Sequence, residues 1–77
     1  MIKPTELAEL WTLSHAGDAV RCIAAQHPRG IELRYVMNEH PLISRVFQDW
    51  EELTGQAQLW WEGLVSRGWT EIAPTRH

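Results

Sequence analysis

Cys22 is the only cysteine of the chain, so an intramolecular disulfide is excluded, and so are the paired-cysteine spacings of zinc sites. Lysine occurs once, at Lys3, and the formal net charge is −3, which argues against a generic binder of polyanions. No apolar run approaches the roughly 20 residues of a membrane-spanning helix. The opening residues, Met1-Ile2-Lys3-Pro4-Thr5-Glu6, lack the apolar stretch of a signal peptide. No glycine-rich loop joins a strand to a helix, which removes the phosphate-cradling motifs. A reducing cytoplasm is the expected setting, without a membrane partner.

What is abundant is tryptophan. Five occur in 77 residues, and each can bury a large area in a domain too small to waste any. Trp50, Trp60, Trp61 and Trp69 all lie from residue 50 onward, so this segment is expected to supply much of the core. Charge is also uneven. Between residues 19 and 48, Arg21, Arg29, Arg34 and Arg45 stand against Glu32 and Glu39. Between 49 and 67, Asp49, Glu51, Glu52 and Glu62 stand against Arg67. The two segments should present faces of opposite sign.

Turn chemistry divides the first part of the chain at Ala16-Gly17-Asp18, Pro28-Arg29-Gly30 and Asn38-Glu39-His40-Pro41. Strands are expected near 9–15, 19–26, 31–37 and 42–47. The third is plainest, since Ile31, Leu33, Tyr35 and Met37 alternate with Glu32, Arg34 and Val36. Folding each hairpin about its turn centre sets Leu13 against Val20, Trp11 against Cys22 and Leu33 against Ala24. It also sets Leu33 against Val46, Met37 against Leu42 and Arg34 against Arg45. A competing parse coils residues 5–14 and 18–26, but Val20, Cys22 and Ile23 are poor helix formers and Ala16-Gly17-Asp18 would break the coil.

Asp49, with Glu52 three residues on, signals a helix start. Trp50, Leu53, Ala57, Trp60, Trp61 and Leu64 follow at helical spacing, and Gly68 then Trp69 fit the end. The expected fold is therefore α+β: a four-stranded antiparallel meander packed by one C-terminal helix over 50–67, in one domain. Residues 5–10 suit a single helical turn, and residues 1–6 and 70–77 are expected to fray.

Chemistry is sparse. His15 and His40 fall at the same end of the meander, but zinc requires at least three protein ligands, and solvated turn histidines are the expectation. Cys22 points inward beside Trp11, unlike a reactive thiol. No catalytic residue, metal or cofactor is expected. Two surfaces stand out instead. The first is an anion- or partner-binding face carrying Arg21, Arg34, Arg45 and Phe47, because like charges directly opposite on a sheet require an explanation. The second is the helix's back, where Gly55, Leu59 and Gly63 would let a second copy of the chain approach closely. A non-enzymatic interaction module that forms a homodimer is the first functional expectation.

The plan carried by Leu10-Trp11-Thr12-Leu13, Gly30-Ile31-Glu32-Leu33-Arg34, Arg45-Val46-Phe47 and Gly68-Trp69 resembles that of short uncharacterised bacterial proteins, a resemblance that brings no activity with it. The element order is also similar to the Whirly-like and transcriptional-coactivator single-stranded DNA-binding proteins, homodimers of four strands and a helix. That likeness implies single-stranded nucleic acid as an alternative partner for Arg21, Arg34 and Arg45.

Overall fold

The computed structural model describes residues 6–72. Four strands, β1 (Glu6–His15), β2 (Asp18–His27), β3 (Gly30–Met37) and β4 (His40–Phe47), precede the helix α1 (Trp50–Val65), and a short strand β5 (Thr70–Glu71) follows it. They form a five-stranded antiparallel sheet of order β4-β3-β2-β1-β5 with α1 packed on one face, the expected α+β arrangement with one strand added. Residues 6–10 are extended rather than helical, because pairing with β2 outweighs a single turn of local helix preference. Thr70 and Glu71, expected to fray, pair with Ser14 and Leu13, and the Ile72 amide donates to the Thr12 carbonyl at 2.9 Å. The expectations for residues 1–5 and 73–77 lie outside the described residues.

The first and third turns have two residues each, with positive φ at both: 51° and 88° at Ala16 and Gly17, 50° and 69° at Asn38 and Glu39. This is the mirror-image turn whose twist matches that of paired strands. Asn38 locks the two turns side by side. Its amide nitrogen donates to the Asp18 carboxylate at 3.0 Å, while its side-chain oxygen accepts from the Ala19 N–H at 2.9 Å.

Leu13 pairs with Val20, Trp11 with Cys22 and Ala24 with Leu33, as the alternation requires. The β3–β4 register differs from expectation. The two-residue turn sets Met37 opposite His40, and an extra residue at Pro41-Leu42 then shifts the ladder by one. Proline donates no ladder hydrogen bond, so it suits a bulge on an edge strand. Leu33 consequently faces Arg45, and Arg34 faces Ser44.

Leu53, Ala57 and Leu64 of α1 pack on Trp11, Leu13, Val20, Cys22, Ala24 and Leu33. Each fully buried leucine contributes about 2 kcal/mol by burial. The Trp11 indole N–H donates to the Ala57 carbonyl at 3.1 Å, fixing helix to sheet. Trp60, Trp61 and Trp69 border this core, whereas Trp50, the first helical residue, is 44% exposed. Asp49 caps α1 by accepting from the Glu52 N–H at 2.9 Å. At the other end Trp69 N–H donates to Leu64 and Gly68 N–H to Val65, with Gly68 at φ 100°. This is the Schellman closure that Gly68-Trp69 signalled.

Candidate functional site

On the face away from α1, Arg21 and Arg34 line one depression of about 260 Å³ together with Ile23 and Val36. The arginines are not free there. Arg21 pairs with Glu9 at 3.1 Å and with Glu39 at 3.3 Å, and Arg34 pairs with Glu32 at 2.9 Å. Glu32 also accepts from the Ser44 hydroxyl. That bond, with the Arg34 guanidinium beside it, holds the Glu32 carboxyl below its ordinary range despite partial burial. With Glu6 in the same depression, four carboxylates accompany two guanidinium groups. The face is internally neutralised, with an acidic remainder.

Arg45 and Phe47, expected on this face, are on the other. Arg45 pairs with Leu33 and donates to Gln56 of α1 at 3.3 Å. Phe47 pairs with Ile31 and packs against the core. The cause is the Pro41-Leu42 bulge, because a one-residue shift exchanges the faces of every later side chain in the strand. Arg34 and Arg45 therefore never meet, and the like-charge pair that seemed to demand a ligand does not exist.

His40 is exposed, whereas the other two histidines of the described residues have partners. His15 lies against the Trp69 ring, centroids 5.5 Å apart. His27 accepts the Arg29 N–H at 3.0 Å through Nδ1. No three His, Cys, Asp or Glu side chains are grouped to hold a metal among the described residues. Burial pushes the Cys22 thiol up to about 12.

The surface that sequence reasoning undervalued is the outer edge of the sheet. Among the described residues, β4 pairs with β3 on one side and with no strand on the other. All its residues except Phe47 are exposed, including Leu42 at 59%, Ile43 at 41% and Val46 at 38%. Beside it, Leu59 of α1 is 63% exposed. Between the helix and the edge runs an open cleft of about 270 Å³, walled by Tyr35, Ile43, Leu59, Trp60 and Gly63, with Arg67 joining them. Tyr35 and Trp60 meet edge to face at 5.3 Å. Burial raises the Tyr35 phenol, and the nearby Arg67 charge opposes that rise.

Of the helix residues singled out by sequence, Leu59 and Gly63 line this cleft, whereas Gly55 does not. A Cβ added at Gly55 or Gly63 would meet nothing within 4 Å, so this side of the helix is open. The signal for the edge was topological: the last strand of a meander, followed directly by a helix, has a neighbour on one side only. No family model, curated protein or solved structure matches the chain.

Proposed function

We propose that the chain is a non-enzymatic protein-interaction module whose working surface is the β4 edge together with the Leu59 side of α1. One observation carries the reading: an eight-residue edge strand exposes Leu42, Ile43 and Val46 beside a largely apolar cleft whose lining includes Arg67. Native edge strands are usually blunted by lysine, proline, bulges or a covering element. Here Pro41 and its bulge protect only one end, and Ile43–Phe47 remains open to an added strand. A thiol held near 12, with His15 packed on Trp69 and His27 engaged in a turn bond, supports a non-catalytic role. Single-stranded nucleic acid has less support as a partner, because Arg21 and Arg34 already hold carboxylates and Arg45 lies on the opposite face. The proposed setting is the bacterial cytoplasm, where a lone buried thiol stays reduced.

Selection of extended peptides from a displayed library, followed by amide chemical-shift mapping on dilute protein, tests this. Ligands that shift β4 and residues 59–67 support it. Ligands that shift the Arg21–Arg34 face instead, or failure to select any ligand, refute it.

A further inference from the structure

We infer that the occupant of the β4 edge is a second copy of this chain, paired antiparallel through β4 about a two-fold axis near Ser44. The inference rests on the edge being the working surface, and it names the partner from the charge layout of that surface. Two residues separate the end of β4 from α1, which returns antiparallel beside it. Arg45 reaches Gln56 midway, and Ile43 shares the cleft with Leu59, Gly63 and Arg67. Helical spacing sets Glu52, Gln56, Leu59 and Gly63 along the side of α1 that faces the edge.

The surface is therefore polar along its length. Its Phe47 end carries Asp49 and Glu52, and its Ile43 end carries Arg67. Antiparallel pairing of two identical edges places the acidic end of each copy against the basic end of the other. A different partner would need that alternation built into its own surface, whereas a second copy has it by symmetry.

Register follows from like faces and like charges. A centre at Ser44 sets Ile43 against the partner's Arg45 and Leu42 against the partner's Val46. A centre at Arg45 would oppose two guanidinium groups and is disfavoured. An axis normal to the sheet keeps both helices on one side, with Leu59 of each copy turned toward the seam. With the axis at Ser44, the stretch open on both copies is Ile43–Arg45, a ladder of about 10 Å flanked at each end by a Leu42–Val46 contact. It is shorter than a permanent dimer would use, so the dissociation constant should lie at about 10–100 µM.

Sedimentation of the full chain from about 5 to 500 µM reads the assembly directly. The expected result is a monomer–dimer equilibrium that Leu42→Lys and Val46→Lys each weaken at least about tenfold, with folding checked by near-ultraviolet circular dichroism. Glu52→Lys and Arg67→Glu should each weaken it, and the double reversal should restore it. Slower amide exchange in β4 at high concentration should accompany dimer formation in the unaltered protein. A monomer throughout, a dimer indifferent to Val46→Lys, or a charge reversal without restoration overturns the inference. Peptide mapping on dilute protein separates the outcomes: a monomer whose β4 still takes selected peptides loses only the second copy, and one whose β4 takes none loses the underlying reading as well.

Discussion

Gly30→Ala should be the most damaging single-methyl change in the chain. Gly30 opens β3 at φ 148°, and a Cβ built there would sit 2.2 Å from the Phe47 carbonyl oxygen and 3.2 Å from its carbonyl carbon. Cβ contacts under 3.0 Å are essentially never seen, and the obstacle is backbone rather than the mobile end of a side chain. Accommodation must push the end of β4 away. That end is held by Ile31 pairing with Phe47 and by the Gln48 side chain donating to the Arg29 carbonyl at 2.9 Å. Two residues later Asp49 caps α1, so the displacement is passed to the helix start. An L-residue at this φ costs about 1–3 kcal/mol, and displacing packed backbone costs a similar amount. The combined loss is about 2–5 kcal/mol, which lowers the melting midpoint of a domain this size by roughly 10–30 °C. Gly63→Ala is the internal contrast. Its methyl enters open space inside a helix, so it should stabilise the monomer by about 0.5–1 kcal/mol. Urea unfolding followed by tryptophan fluorescence, at about 0.1 µM so that association contributes little, measures both. A Gly30→Ala variant within about 0.5 kcal/mol of the parent would refute the close approach of β3 to β4. A destabilised Gly63→Ala would refute the openness of that side of α1.

Three further outcomes follow from the same geometry. Ala16 adopts φ 51° in a turn that prefers Asn-Gly, so Ala16→Asn should raise stability by about 0.5–1 kcal/mol in the same urea assay, and a loss would show that the turn is not the mirror-image type. With its thiol at about 12 against an ordinary 9.0, Cys22 should hold roughly a thousandfold less thiolate at pH 8, so a disulfide reagent should label it only as the chain unfolds; rapid labelling of folded protein would place the thiol at the surface. Glu32 has a folded pKa below its ordinary 4.5, so it stabilises the fold above that value and loses the contribution as pH falls through the depressed one. Glu32→Gln should therefore cost about 1 kcal/mol at pH 7 and flatten the acid limb below pH 4.5; an unchanged acid limb would mean that the Ser44 and Arg34 contacts carry no such linkage.

The first three strands were legible because two signals agreed. Ile31, Leu33 and Tyr35 alternate cleanly with Glu32 and Arg34, and turn residues sit where the pairs Trp11–Cys22 and Ala24–Leu33 require them. The helix was legible at both ends for chemical reasons, Asp49 supplying an acceptor and Gly68 a left-handed residue. The Arg21 ion pairs were not, because Glu9 and Glu39 lie 12 and 18 residues from Arg21 and only the folded register gathers them. β5 was missed because two residues carry no periodicity of their own, and only the Schellman turn aims them at β1.

The fourth strand failed for a more instructive reason. Leu42, Ile43, Val46 and Phe47 put apolar residues on both parities, so the pattern could not choose between the register with Arg34 opposite Arg45 and the one observed. Asn38-Glu39-His40-Pro41 read equally well as a four-residue turn or as a two-residue turn running into a bulge. A strand in the middle of a sheet with this composition would bury both faces. At an edge, the same composition leaves apolar side chains on each face of a strand whose outer backbone groups have no ladder partner. The property that hid the register of β4 is thus the property that fits β4 to receive another strand, which is why the least legible element is also the proposed working surface.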